Sequence, residues 1–348
     1  MSLPATMEAA VFHGPGDIRL TEVPVPTPGK DELLIRVAAV GVCGTDAHEF
    51  AAGPHMFPTG PFIPGHEFAG DVVAAGRSVV GFALGDLVAS GAGVSCGQCP
   101  WCARGATNLC LRYETVGLQR QGALAEYVIA PATICMGVGA QGLTADVAAL
   151  AQPMAIAVHA MRRGRVDADD RAVIIGAGSI GAFLTYAVSA ANVETIVLDL
   201  DEERLQLATR LGASQTQVPQ DGFGVDGATV IYEATGSRAG LSLAFDLASP
   251  GARIVLVGIQ DEPSETAFRD VTLGELELIG TNAHVFSQDF PEAVRLLSSR
   301  NEGWDDLAPT AFPLRDVVSE GLLPLVEGRP TRIKTLIDPR TSETRTTR

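Results

Sequence analysis

Three groups of residues in this 348-residue chain have types and spacings that can do chemistry. Cys96, Cys99, Cys102 and Cys110 follow the spacing C-x2-C-x2-C-x7-C. Four thiolates so close in sequence can close a tetrahedral shell around Zn²⁺. Gly97, Pro100 and Gly105 let the chain wrap tightly. Sulfur fills every position and leaves none for water, so a zinc here is structural. Four thiolates also suit an iron–sulfur cluster, and a redox-active or coincidental cluster is the remaining reading.

The second group is Cys43, in GVCGTDAHEF at 41–50, with His66 and Glu67, in GHEFAG at 65–70. Thiolate, imidazole and carboxylate are three ligand types for one metal. They lie far enough apart to need a fold that assembles them. Taken alone, His66 reads equally as a satisfied core histidine and Cys43 as a small buried apolar residue.

The third group is Gly176-Ala177-Gly178-Ser179-Ile180-Gly181, a G-x-G-x-x-G between an apolar run and a helical pattern. Asp199 ends the next apolar run, 23 residues after Gly176. That context is the one a dinucleotide fingerprint requires. Gly176 makes the turn, Gly178 admits a pyrophosphate, and Gly181 lets the helix pack on its strand. The helix N-terminus offers free N–H groups to phosphate. A carboxylate at 199 accepts ribose hydroxyls and repels a 2′-phosphate, which favours NAD over NADP. A helix-capping loop without ligand is the plainer alternative.

These groups need two kinds of scaffold. Residues 1–150 read as short strands at 8–12, 33–40, 68–75 and 86–90 between Pro/Gly clusters. From about 150 the pattern alternates helices and fully apolar strands. Helices are expected at 147–161, 179–191 and 202–211, and strands at 171–176, 195–199, 229–233, 253–258 and 277–280. Such strands form a parallel sheet covered on both faces. Helices at 290–299 and 316–328 and a strand at 333–338 follow. The polar tail 339–348 is expected to be disordered.

The chain is 46% hydrophobic with a net charge of −16, so it can bury a core and lacks a basic footprint for nucleic acid or anionic membrane. No run is long enough to span a bilayer, and the first residues do not read as a secretory signal. The expected location is the cytoplasm, where clustered cysteines serve metals rather than disulfides.

With GVCGTDAH, GHEFAG, the four-cysteine lobe, ALAQPMAIAVHAMRR at 149–163, GAGSIG and RIKTLIDP at 332–339 in hand, the sequence resembles the zinc-dependent medium-chain dehydrogenases. Within them it is most similar to the polyol, butanediol and threonine dehydrogenase branch. The resemblance implies an α/β fold in two parts: a GroES-like β-barrel catalytic domain and a Rossmann domain with a doubly wound parallel sheet. The expected bounds are 1–152 for the catalytic domain, with its structural-zinc lobe at 92–112, then 153–288 for the Rossmann domain. Residues 289–348 return to the catalytic domain. It also implies a homodimer or homotetramer.

Carried over residue by residue, Cys43, His66 and Glu67 are implied ligands of a catalytic zinc, the second zinc per chain. Thr45 is the hydroxyl that bonds the substrate oxygen, and His48 the outer end of a proton relay. Gly176, Gly178, Ser179, Ile180 and Gly181 hold the pyrophosphate of NAD, Asp199 its ribose, and Arg204 its adenine. Gln152 departs from the branch, which has a glutamate before the proline. Thiolate and one carboxylate already neutralise Zn²⁺, so Gln152 is expected beside the zinc or holding a water. Cys135 is expected to be a buried spectator and His159 a core histidine.

The implied reaction is hydride transfer between NAD and a secondary alcohol or its ketone. The segment HMFPTGPF at 55–62 is expected at the substrate pocket, with Phe57 and Phe62 either lining it or packing in the core. No basic residue near the metal motifs is placed to bind a carboxylate clearly, so a neutral vicinal diol, polyol or hydroxyketone is preferred over L-threonine or an amino alcohol. Two rivals remain. A zinc-free, NADPH-using quinone reductase is opposed by the metal motifs and Asp199. A non-catalytic dinucleotide sensor with only structural zinc is left open by Gln152.

Overall fold

The computed structural model describes residues 3–220, 225–260, 263 and 268–348. The chain divides into two units, Met1–Gln152 with Val285–Arg348, and Pro153–His284. The chain thus returns to its first unit at Val285, four residues before the expected 289.

The first unit is built on a mixed eight-stranded sheet. Its central strand, Glu32–Gly41, is almost wholly apolar on both faces, with Leu33, Leu34, Ile35, Val37 and Val40 fully buried. It pairs antiparallel with Glu67–Ala75, in a register that sets Gly41 opposite Glu67. Tyr127–Pro131 also pairs with it. On its far end sits Leu336–Asp338, with Leu336 opposite Gly41. That short strand runs parallel to Thr310–Pro313 on its other side. The closing segment of the chain is thereby placed beside the second metal motif. A separate hairpin pairs Thr6–Gly14 with Asp17–Pro24.

The tail is not disordered. Arg345–Thr346 forms a short strand against Thr310–Pro313. Arg345 donates to both oxygens of Asp146 at 2.7 Å and lies 2.7 Å from Asp338. Both aspartates are buried. Polarity in this tail is charge complementarity to two buried carboxylates, which a composition argument reads as solvation. The expected helix at 316–328 is instead a 3₁₀ turn Leu314–Asp316, a π-helical stretch Val317–Leu322 and a short α-helix Leu323–Val326. The expected helix at 290–299 runs Phe286–Ser299, with Pro291 inside it rather than in its first turn.

The second unit holds a six-stranded, all-parallel sheet. Across it the strands run Gln215–Gln217, Glu194–Leu198, Arg171–Ile175, Ala228–Glu233, Ala248–Leu256 and Glu277–Gly280. In chain order that is 3-2-1-4-5-6, the doubly wound dinucleotide-binding order. Val173, Ile174, Ile196, Val197, Ile231, Ile254 and Val255 are fully buried, as a sheet covered on both faces demands. At about 25 cal/mol per Å² of apolar surface, each contributes roughly 1.5–3 kcal/mol. The order changes direction beside the first strand, so the turn after Ile175 opens at the switch point, where such sheets bind ligands.

Candidate functional site

The cysteine lobe lies within the first unit. Cys99 caps the short helix Pro100–Ala103, with proline in its first turn, where the missing N–H costs nothing. Gly97 and Gly105 take left-handed backbone angles of +70° and +79°. This folding brings the sulfurs of Cys96, Cys99, Cys102 and Cys110 within 4.8 Å of one another. All four are free thiols. Sulfurs about 2.3 Å from a common zinc stand about 3.8 Å apart, so the set fits that ion. Backbone N–H groups of Cys96 and Arg112 point at Cys110 Sγ, at 3.2 and 3.3 Å. A backbone N–H from Gln98 and the Arg112 side chain draw the Cys96 thiol down to about 5, while burial and its sulfur neighbours push Cys102 up to about 11. A divalent cation would relieve that crowding by taking all four as thiolates.

The second metal motif is assembled by strand register. Gly41 sits opposite Glu67, and the chain leaves that strand through Val42 and Cys43. Cys43 then caps the helix Gly44–Ala52. Cys43, His66 and Glu67 present ligand atoms within 4.8 Å of one another. His66 and Glu67 are 5% and 1% exposed, so their charges meet little water.

Two residues beside the motif escape a reading by spacing alone. Asp46, 1% exposed, accepts the Cys43 N–H at 3.0 Å through Oδ2, while its Oδ1 stands 3.4 Å from His66 Nδ1. Among the described residues, neither Asp46 Oδ1 nor His66 Nδ1 has a hydrogen-bond partner. Burial opposes charge on His66, but Asp46 and Cys43 outweigh it and hold its pKa well above the ordinary histidine value. A cation shared with Cys43 would turn the imidazole to its neutral, ligating form, with Asp46 facing the remaining N–H.

The other is Lys334, whose Nζ lies 2.5 Å from Glu67 Oε2 with both side chains at most 2% exposed. Lys334 is thus a basic residue beside the metal motif, held there by Glu67. Burial again opposes its charge, and Glu67 and Cys43 outweigh burial and raise its pKa. A signal existed for Asp46, which falls one helical turn after Cys43. Lys334 lies in the motif RIKTLIDP, but only the strand pairing reveals its partner.

Thr45 and His48 follow Cys43 on the same helix, three residues apart and hence on one face. Thr45 is half-buried and His48 exposed. The His48 ring lies 5.1 Å from that of His55. Glu49, fully inside, accepts the backbone N–H groups of His55, Met56 and Phe57 at 2.9–3.1 Å and so shapes the segment after the helix. Of the two readings of Phe57 and Phe62, the core reading holds. They pack with Phe12 and Leu118 in an apolar cluster, with Phe57 ring centroids 5.2 Å from Phe12 and 4.9 Å from Phe62. Gln152 is buried at the second position of the helix Ala151–Gly164. His159 is buried further along that helix. Cys135 is buried, and burial pushes its thiol up to about 12.

In the second unit, Gly176 has φ of +96°, and a Cβ there would press on Thr235 at 2.7 Å. A Cβ on Gly181 would strike the carbonyl oxygen of Gly176. A Cβ on Gly178 would meet nothing within 4 Å, so its face is open to an incoming group. The helix Ser179–Ala190 starts from Gly178 with no side chain capping its N–H groups. Ser179 Oγ is buried without a hydrogen-bond partner among the described residues, and Ile180 follows half-buried. Free N–H donors, an unpaired hydroxyl and an open glycine face fit a pyrophosphate. Asp199 accepts the Ala177 N–H at 2.6 Å and the Asp201 N–H at 2.9 Å, which fixes the carboxylate against the glycine turn. Arg204 stands 3.8 Å from Asp199 and 3.7 Å from Asp201.

Comparison with known proteins agrees with this geometry. The alcohol dehydrogenase GroES-like domain matches residues 29–140, and the zinc-binding dehydrogenase family matches residues 179–299. An erythritol/L-threitol dehydrogenase of Mycolicibacterium smegmatis is 32% identical over 90% of this chain and 93% of its own length. Among solved structures, a zinc-binding dehydrogenase from Sinorhizobium meliloti bound to NADP superposes with a TM-score of 0.87 at 27% identity, over 97% of this chain and all of that one. The 2R,3R-butanediol dehydrogenase of Bacillus subtilis superposes with a TM-score of 0.86 at 28% identity, over 96% of this chain and all of that one. Matched by these proteins along nearly its whole length, the chain belongs to the zinc-dependent medium-chain dehydrogenases, a family of alcohol oxidoreductases.

Proposed function

We propose that the chain is an NAD-linked dehydrogenase of small neutral secondary alcohols, of the vicinal diol, polyol or hydroxyketone type, holding two zinc ions. The observation that carries this reading is the grouping of Cys43, His66 and Glu67 at the foot of the helix bearing Thr45 and His48. The cysteine lobe holds the other, structural ion.

Zinc at Cys43, His66 and Glu67 would supply Lewis acidity to an alcohol oxygen, and NAD at the glycine loop a hydride acceptor. The residues do the rest. Cys43 and Glu67 bring two negative charges to balance the ion. Asp46 fixes the orientation and tautomer of His66. The Thr45 hydroxyl hands on the alcohol proton but cannot hold a charge. His48, exposed one helical turn away, passes that proton on to water. Gln152 holds a water or lies beside the metal as a neutral neighbour. Gly176, Gly178, Ser179, Ile180 and Gly181 cradle the pyrophosphate. Asp199 would accept ribose hydroxyls and disfavour a 2′-phosphate, and Arg204 would contact the adenine.

The substrate class rests on charge. Lys334 is engaged by Glu67 and so is not free to bind a substrate carboxylate, which argues against threonine. The erythritol/L-threitol dehydrogenase and the 2R,3R-butanediol dehydrogenase among its relatives are named for neutral substrates, which is consistent. Assembly as a homodimer or homotetramer through an edge of the six-stranded sheet completes the reading.

The test is zinc analysis with a screen of NAD and NADP reduction over short diols, polyols, hydroxyketones and amino alcohols. Two zincs per chain and NAD-linked turnover of a neutral diol are expected. One zinc and no turnover of any alcohol would point to the dinucleotide sensor.

A further inference from the structure

The pairing of Glu67 with Lys334 has a geometry that a simple ligand role for Glu67 does not explain. Glu67 is the one carboxylate in the three-residue metal group. Its Oε2 lies 2.5 Å from Lys334 Nζ, and both side chains are almost wholly inside. Lys334 Nζ also donates to the Val42 carbonyl at 3.2 Å. The pair lies across Gly41. A Cβ on that residue would come within 3.1 Å of Lys334 Cε and 3.2 Å of Glu67 Cβ, and would collide with Glu67 Oε2. Strand register holds the three together, because Gly41 sits opposite both Glu67 and Leu336. The backbone either side of Lys334 is fixed too, with Lys334 N donating to Leu307 O and Val42 N to Thr335 O, each at 3.0 Å. This is a built contact in a dry place, not a surface lysine at rest.

We infer that Lys334 is a positioning residue that competes with the catalytic metal for Glu67, and so keeps that metal loosely held and open to ligand exchange. The inference rests on the proposed metal site at Cys43, His66 and Glu67. A buried ammonium raises the cost of a divalent cation nearby and offers Glu67 a partner when the cation is absent. It pairs as an ion with Oε2 of that carboxylate. With Gln152 neutral, no second carboxylate in that position offsets the competition. Removing the charge at 334 frees Glu67 and removes the repulsion, and both effects strengthen metal binding.

The experiment measures zinc affinity by chelator competition on the full-length protein, for wild type, Lys334→Met, Lys334→Gln and Lys334→Arg. His66→Ala identifies which phase of the competition is the catalytic site. Cobalt(II) substitution gives a second readout, because the visible bands at that site report its ligand set. Tenfold or tighter zinc binding in Lys334→Met, near-wild-type binding in Lys334→Arg, and shifted cobalt bands only in the uncharged variants are expected. If Lys334→Met does not fold, Lys334→Gln, which keeps a hydrogen-bonding group, decides the matter in the same direction. Equal or weaker zinc binding in the folded uncharged variant would overturn the inference alone. A wild-type protein lacking any phase that His66→Ala removes would overturn the metal-site reading, and this inference with it.

Discussion

Asp46 Oδ1 stands 3.4 Å from His66 Nδ1 in a pocket where both side chains are almost wholly inside, while its other oxygen accepts the Cys43 N–H at 3.0 Å. One carboxylate thereby governs two neighbouring ligands. Asp46→Asn keeps the shape and removes the charge. Activity or catalytic zinc affinity should fall roughly 10–100-fold. Steady-state kinetics with zinc content per chain measures this, and unchanged values would show that the carboxylate only caps its helix.

His66→Ala should abolish alcohol oxidation and leave NAD binding intact, because the imidazole and the glycine loop belong to separate units. Fluorescence titration with NADH alongside turnover checks both halves. Normal turnover in the variant would remove His66 from the reaction.

Asp199→Ala should lower kcat/KM for NAD by on the order of tenfold to a hundredfold, the worth of hydrogen bonds to a charged acceptor. NADP should improve relative to NAD. The variant also loses the bond to the Ala177 N–H, so the ratio between cofactors is the telling quantity. An unaltered ratio would mean that Asp199 serves the loop and not the ribose.

The acid limb of stability should depend on Asp170. Burial raises its pKa, but the Asp167 N–H, Thr229 and Arg253 outweigh burial and hold it below the ordinary value of 3.8. A carboxylate depressed by folding stabilises the protein fully above its unfolded pKa. That stabilisation is lost as pH falls through the lower folded value. Wild-type melting temperature should therefore drop more steeply between pH 5 and about pH 2 than that of Asp170→Asn. Parallel curves would contradict the assignment.

Arg345→Ala should destabilise the first unit by about 3 kcal/mol, because it leaves Asp146 and Asp338 buried without their shared cation. Thermal melts of the variant and of a chain ending at residue 344 measure the loss. A melting point equal to wild type would show the tail to be dispensable.

What could be read from the sequence follows the range of the interactions. Cys96 to Cys110 sit close together, so their spacing alone displays the lobe. The glycine loop and Asp199 are one β–α–β step apart, and apolar runs mark that step. Cys43, His66 and Glu67 were legible as ligand types, though only the family likeness joined them. Lys334 and Arg345 were not. Glu67 and Asp146, their partners across the fold, lie some 200 residues or more away in sequence, and charge in a polar stretch looks the same whether it faces water or a buried carboxylate. Phe57 and Phe62 were ambiguous for a related reason: an aromatic near a site has the same letter whether it faces substrate or core.

Leu336–Asp338 lies between Thr310–Pro313 and Glu32–Gly41 in the larger sheet. On the ribosome, then, the amino-terminal half of this sheet must wait for residues 336–338 before its gap can be filled. Residues 153–284 are contiguous and can mature while translation continues. Glu67 therefore meets its lysine only once residue 334 has been made, and until then Cys43, His66 and Glu67 face no competing ammonium.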